Sequence, residues 1–566
     1  MSQRSDPFTV ALTGQFPLVL AVSALLALVV SLLLLRRYRR AVIRSMRRRS
    51  RSDILELKGF LPAEPDHKSP KAPLEFNLDS ADPSRGTGAA KQLYNRAMRG
   101  PWLAALVYAI AGCGFAAAMT AAFLFSSKME FLPPRFLFLT WVNGWPIVFT
   151  TYCAAALSRR AKLIVALAYL VLGISVGALL LARSPDAAAG QLAMIWLSAN
   201  IPPSILLLIF LHRRIRAAGP LVLLFMITGV TGANLIVKLV EQNPKLLGAI
   251  RDFSISIGLG PIDTVLALHL IGFLTFAVLG WFVVGSIRVL YQRKQIGEQS
   301  VLVDTIWLVF GIVYSMALAV HGPWWMLSGP AAFVLFKLVV IAGFRAFGRK
   351  KAAARSGPRL LLLHVSVLGK RSETLFDALS KSWRAVGSIQ MIAGPDSATT
   401  AVAPHEFLDF LGGKLARRFI DSGRTLDLRI DQMDLAPDRE GQFRATEFFC
   451  HDDTWKLTLA RLADESDAVL MDLSGFSQKN AGCVAEINEL FNLVPLRRLV
   501  FAVDETTEQP FLRQTMQQAW AQLKDRSPNH RLSTGQVSLV ELSGMSSDGI
   551  HKLLHALCAA ATAGPK

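Results

Sequence analysis

Few stretches of this chain carry side chains able to do chemistry. In SDAVLMDLSGFSQKNAGCVAEI, residues 466–487, an apolar run ends at Ser474, and a helical stretch opens with Cys483 and Glu486 three residues apart. By themselves these are compatible with a small buried hydrophobe and with a solvated first-turn carboxylate favoured by the helix dipole. AGPDSATT, residues 393–400, places Gly394, Asp396 and Ser397 in a turn whose amides can cradle an anion, although a plain connecting loop has the same composition. Cys450, His451, Asp452 and Asp453 bear metal-ligand atoms. Four adjacent residues point in different directions, however, and acids at a helix start answer its unpaired amides, so no metal is expected. Neither GxxxxGK[ST] nor GxGxxG occurs. Their absence leaves P-loop nucleotidases and dinucleotide Rossmann sites without support.

The elements that must position these residues follow from Arg359 onward. Apolar runs RLLLLHVSVL, SIQMIAG, DAVLMDLS, RRLVFAV and VSLVEL alternate with helical patterns at 372–385, 404–420, 453–465, 480–493, 509–524 and 547–561, with an irregular polar segment before 453. Continuous apolar strands separated by helices predict an α/β doubly wound, mainly parallel sheet covered on both faces. Ligands of such a domain bind at the C-terminal strand ends. The segments after the second and third of these strands are the ones that hold Gly394, Asp396, Ser397 and Ser474.

Within this frame, Ser466–Ile487 resembles the fourth-strand region of TIR domains. There a serine precedes a hydrophobic strand ending in serine, followed by a loop and Trp-Cys-x-x-Glu-Leu opening a helix. Ser466, Val469, Leu470, Leu473 and Ser474 match the strand, and Cys483 and Glu486 match Cys-x-x-Glu. Gly482 stands where the family has tryptophan, and Ile487 where it has leucine. The likeness covers 22 of the 212 residues from 355 on, the remainder matching only in strand order, which nucleoside deoxyribosyltransferase relatives share. It implies a flavodoxin-like fold and a catalytic Glu486 in NAD cleavage, with NAD as substrate and no resident cofactor. It also implies a pocket lined by Gly394, Asp396, Ser397 and Ser474. A carboxylate at a strand end suits this chemistry, because it can hold ribose hydroxyls and stabilise an oxocarbenium-like transition state.

The rest of the chain has a different character. Hydrophobic residues make up 52% of the sequence and the mean hydropathy is +0.39, too apolar for an ordinary soluble protein. The net charge of +20 is uneven: residues 355–566 hold 24 basic and 26 acidic side chains, and the first 354 hold 37 and 15. Positive charge therefore flanks the apolar runs, and no nucleic-acid partner is expected. Runs at 16–35, 102–125, 136–157, 163–182, 192–211, 218–239, 263–287, 301–320 and 324–346 are each long enough to cross a bilayer, giving about nine spans. Nine arginines between Arg36 and Arg51, with SRRAK, HRRIR and RVLYQRK, alternate as cytoplasmic loops should. This reading puts the N-terminus outside, the C-terminal domain in the cytoplasm, and the protein in a bacterial-type inner membrane.

The domain layout is then a signal-anchor span at 1–35, a basic, Pro-rich linker at 36–101, a multi-span region at 102–349 and the α/β domain at 355–566. The prolines between 62 and 83 predict disorder for most of the linker. Pro146, Pro202 and Pro203 interrupt spans; Lys337 and His269 lie inside two others, and Asp263 and Asp304 at span ends. A lysine two turns from a helix end can snorkel, and prolines are tolerated in membrane helices, so these residues have structural as well as transport readings. The implied partners are the lipid bilayer and further copies of the chain. Signalling or sensing is the expected function, with a transporter or channel carrying a regulatory domain, or a scaffold, as alternatives.

Overall fold

The computed structural model describes residues 16–46, 72–77, 87–154, 159–183, 188–346, 357–364, 370–393 and 419–563, with positions 407, 410, 411 and 413. Short interruptions fall at 213–214, 216–217, 294, 434, 452–453, 479–480 and 543–546. The chain divides into two units. One comprises Met1–Arg37, Ala104–Phe347 and Ala403–Leu408, and the other Tyr38–Leu103, Gly348–Val402 and Asp409–Lys566.

The first unit is helical. Its elements come from α1 (Phe16–Met46), α2 (Gly88–Ser126), α3 (Pro133–Asn143), α4 (Pro146–Ala154), α5 (Arg159–Arg183), α6 (Ala189–Phe210), α7 (Gly219–Glu241), α8 (Pro244–Ser256), α9 (Pro261–Gln292), α10 (Glu298–Leu318) and α11 (Ser328–Ala346). Among the described residues seven helices are long and apolar enough to cross a bilayer, the pattern of a multi-pass membrane protein. The interruption expected at Pro146 is present: the stretch is two short helices, α3 and α4, broken at Gly144–Trp145. Proline lacks the amide that would continue the helical ladder, so the break falls where the sequence removes a donor. The interruption expected at Pro202–Pro203 is corrected, because α6 runs unbroken through both prolines. Helices α7 and α10 are largely buried, whereas α5 and α9 expose most of their apolar surface. Close packing relies on glycine. A Cβ on Gly232 would lie 1.9 Å from the Phe276 ring, and one on Gly272 2.7 Å from the Ala233 backbone, which lets α7 and α9 approach closely.

The second unit is an α/β domain. Its strands are β1 (Glu75–Asn77), β2 (Arg359–His364), β3 (Ser388–Ala393), β4 (Phe419–Ile420), β5 (Ala445–Cys450), β6 (Ala468–Asp472), β7 (Leu499–Val503) and β8 (Gln536–Glu541). All pair in parallel, in the order β1-β8-β7-β6-β2-β3-β5-β4. The helices are α12 (Lys370–Trp383), α13 (Gly423–Asp431), α14 (Trp455–Glu465), α15 (Ala481–Leu493), α16 (Gln509–Ala521) and α17 (Ser547–Ala561). Alternate strand residues feed separate cores. Leu361, Val469, Phe501 and Leu539 pack with α14, α15 and α16. Leu360, Leu470, Val500 and Val540 pack with α12, α17 and the start of α2. Both faces of the sheet are thus covered, which a parallel sheet with apolar runs on every strand requires.

The five strands legible in the sequence stand in the order 2-1-3-4-5, with further strands at each edge. Residues 419–420, expected to end a helix, form β4 against Phe449–Cys450, and the polar segment before 453 contains α13 and β5. The linker expectation for 36–101 is corrected in part as well. Residues 75–77 pair with β8, and Leu93, Tyr94 and Ala97 of α2 pack on the sheet domain.

Candidate functional site at the strand ends

The strand order reverses between β2 and β6, so ligands of this topology are expected beyond their C-terminal ends. The chain leaves β6 through Asp472, Leu473, Ser474 and Gly475. Asp472 is buried, and its Oδ1 accepts bonds from the Ser474 amide (3.1 Å) and hydroxyl (2.7 Å). Gly475 adopts φ +68°, a left-handed conformation open to glycine at little cost, and so turns the loop back. Its amide donates to Asp504 Oδ1 at 3.0 Å.

Asp504, at the end of β7, fastens the two loops together. Its carboxylate also accepts from the Thr506 amide (3.0 Å) and hydroxyl (2.7 Å), while the Thr507 hydroxyl donates to the Leu473 carbonyl at 3.0 Å. Burial alone would raise this carboxyl's pKa; hydrogen bonds from Thr506, Gly475 and Thr507 outweigh it and hold the group below the usual carboxylate range. Neither Asp472 nor Asp504 was singled out by the sequence. The signal available was an acid directly after each apolar strand, in MDLS and AVDE.

Helix α15 then carries Cys483 and Glu486. Cys483, Ile487 and Leu490 face the core at helical spacing, and Glu486 flanks that face, partly buried. Burial lifts its carboxyl from 4.5 to about 7. This is not the solvated carboxylate that a helix start alone would give. Cys483 is pushed to about 12, first by burial and then by Glu486 one turn away, so its thiol stays protonated and is no nucleophile. Among the described residues Ser474 and Glu486 do not bond each other. Ser474 is engaged by Asp472 and shapes the loop. Gly394, Asp396 and Ser397 lie outside the described residues.

Other polar clusters are accounted for locally. At the ends of β4 and β5, His451 Nε2 lies 2.8 Å from Asp421 Oδ1, and its ring stacks on Phe419. Cys450 bonds Thr458, and burial raises its thiol to about 11. Asp452 and Asp453 lie outside the described residues, and among the others no group of three metal-ligating side chains occurs. Asp438, raised to about 6 by burial and by Glu440, accepts the Glu440 and Gln442 amides in the loop before β5, at the N-terminal end of that strand.

The helical unit holds two polar clusters of its own. Lys337 on α11 bonds both carboxylate oxygens of Asp304 on α10 (2.8 and 2.9 Å) and the Ser300 hydroxyl (3.2 Å). The lysine therefore has a carboxylate partner, which the snorkelling reading did not give it, and Asp304 lies inside α10. At the α3–α4 break, Asn200 donates to the Val142 carbonyl (3.2 Å), whose ladder partner would have been the missing Pro146 amide. Tyr314 donates to Asn200 Oδ1 at 2.6 Å, and Trp145 donates to Ser204, which in turn donates to the Asn200 carbonyl. Trp141 and Tyr169 exchange bonds beside them. His269 is held by its own helix, its Nδ1 2.8 Å from the Val265 carbonyl oxygen.

Compared with protein-family models, curated proteins and solved structures, the chain matches none.

Proposed function

We propose that this is a nine-span membrane protein with its N-terminus outside and a cytoplasmic TIR-like α/β domain that signals or senses through nucleotide chemistry, Glu486 being the acting carboxylate. The observation that carries the reading is the Glu486 carboxyl, raised to about 7 by burial on the helix that follows β6. A group balanced between its two protonation states near neutral pH is suited to acid–base or electrostatic work and is a hallmark of functional sites. The Cys483-x-x-Glu486 pattern and the 2-1-3-4-5 order of the legible strands support the TIR-like assignment. NAD⁺ is the substrate. Water attacks C1′ of the nicotinamide ribose, the C1′–N bond breaks with its electron pair on nicotinamide, and the water proton passes to solvent. Glu486 holds the ribose hydroxyls and stabilises positive charge on the sugar, over a floor that Asp472 and Asp504 keep rigid. Nicotinamide release by the full-length protein in nanodiscs, lost in Glu486→Ala with the fold retained, is the expected result; equal release by both proteins sinks the assignment.

A second reading, transport, draws on the Asp304–Lys337 pair and the broken α3–α4 segment beside proline-bearing α6. Ionisable pairs and interrupted helices inside a bundle are what substrate pathways are built from. Solute or proton flux in proteoliposomes, abolished by Lys337→Met, would favour it over signalling.

A further inference from the structure

The outer edge of β8 is occupied by a strand from far away in the chain. Residues 72–77 follow α1 and precede α2, more than 400 positions from everything they touch here. Their attachment has the form of peptide recognition by strand addition, with main-chain bonds for affinity and one pocket for specificity. The Glu75 amide donates to the Gly535 carbonyl at 2.8 Å, Gln517 accepts the Leu74 amide at 3.3 Å, and the Trp520 indole donates to the Ala72 carbonyl at 2.9 Å. Leu74 is the anchor, 5% exposed. Its pocket exists because residue 535 is glycine: a Cβ there would lie 2.7 Å from Leu74 and 3.0 Å from both Leu496 and Trp520. Arg513 covers the Phe76 ring at 5.1 Å, and Gln536 donates to Glu75 at 2.9 Å.

We infer that the β8 edge and the facing surface of α16 form a peptide-docking groove, and that residues 72–77 are its releasable intramolecular ligand. The ligand class is an extended peptide with leucine at the central pocket and an aromatic residue two positions on. Two features separate a ligand from an integral strand. β1 is three residues long, and β8 is already paired along its other side to β7, so the sheet is continuous without β1. A strand so short is marginal unless its neighbours hold it. Tethered beside its groove, the segment acts at an effective concentration in the millimolar range and competes with any peptide in trans.

The test uses the full-length protein in nanodiscs, wild type and Leu74→Ser/Phe76→Ser, titrated with a fluorescent peptide of residues 70–79. The emptied groove should bind the peptide at least tenfold more tightly than wild type, and a peptide with Leu74→Asp should not bind. Adding Gly535→Leu, which fills the pocket from the other side, should abolish binding while circular dichroism stays unchanged. In the wild type, the Leu74 and Glu75 amides should exchange with deuterium at least ten times faster than those of Leu539 and Val540. The inference fails if the emptied groove takes no peptide at millimolar concentration, or if wild type binds equally well. It fails equally if removing the two side chains unfolds the sheet, or if Glu75 exchanges as slowly as Leu539, because the segment is then an integral strand.

Discussion

Glu486→Gln should make the sheet domain more stable at pH 8 and leave it nearly unchanged in acid. The native carboxyl titrates at about 7, against 4.5 for the same group in water. The folded state therefore binds its proton more tightly, and stability falls as pH rises from about 4.5 through 7, where the native group must ionise. At pH 8 the full shift corresponds to about 3 kcal/mol, and residual solvent contact reduces the working figure to about 2 kcal/mol. At pH 4.5 little of the penalty has developed and the two proteins should be nearly equal in stability. Cys558 is fully buried in α17 and reports opening of this domain alone. Urea-dependent labelling of its thiol by dithiodipyridine, which reacts in acid as well as at neutral pH, read as the mass of the Cys558 peptide, gives the free energy at both pH values. A glutamine variant no more stable than wild type at pH 8, or stabilised equally at both, would refute the claim that burial holds the charge of Glu486 at a cost.

Asp504→Ala should free the loops after β6 and β7, raising amide exchange at Gly475 and Thr506 and costing about 2 kcal/mol. Because the Asp504 pKa is held low, its contribution is present above the ordinary aspartate pKa and fades as pH falls through its native value, so wild type and variant should converge in acid. In the helical unit, Asp304→Asn or Lys337→Met alone should lower thermal stability in nanodiscs by the equivalent of about 2–3 kcal/mol, each taking from the other group its oppositely charged partner, whereas the double variant should recover most of it. Asn200→Leu removes a side-chain donor to the Val142 carbonyl and the acceptor that Tyr314 uses, a loss of about 1–3 kcal/mol measurable in the same melt. Gly232→Leu should prevent assembly of α7 on α9, read as loss of a monodisperse purified species, since the Phe276 ring fills that space.

The sheet was legible where its strands are continuous apolar runs. Leu360–Leu363, Val469–Met471 and Leu499–Val503 are buried on both faces and announce themselves. β5 was not, because its first residues, Ala445, Thr446 and Glu447, are only partly buried and read as polar loop. β1 has no local signature at all: its stability comes from Trp520, Gln517 and Gly535, over 400 residues on. The same distance effect hid the Asp304–Lys337 pair, whose members are 33 positions apart. At the strand ends, Cys483 and Glu486 were visible as a pattern, but the burial that perturbs Glu486 depends on how far the core face of α15 extends beyond Ile487 and Leu490. No spacing rule reports that extent.

Hydrogen–deuterium exchange of the full-length protein in nanodiscs, with and without saturating NAD⁺, tests most directly whether the Glu486 carboxylate on α15 belongs to a nucleotide site. Protection confined to residues 473–476 and the first turns of α15, and absent in Glu486→Ala, is the predicted result. Unchanged exchange across those residues, or protection only elsewhere in the chain, would contradict it.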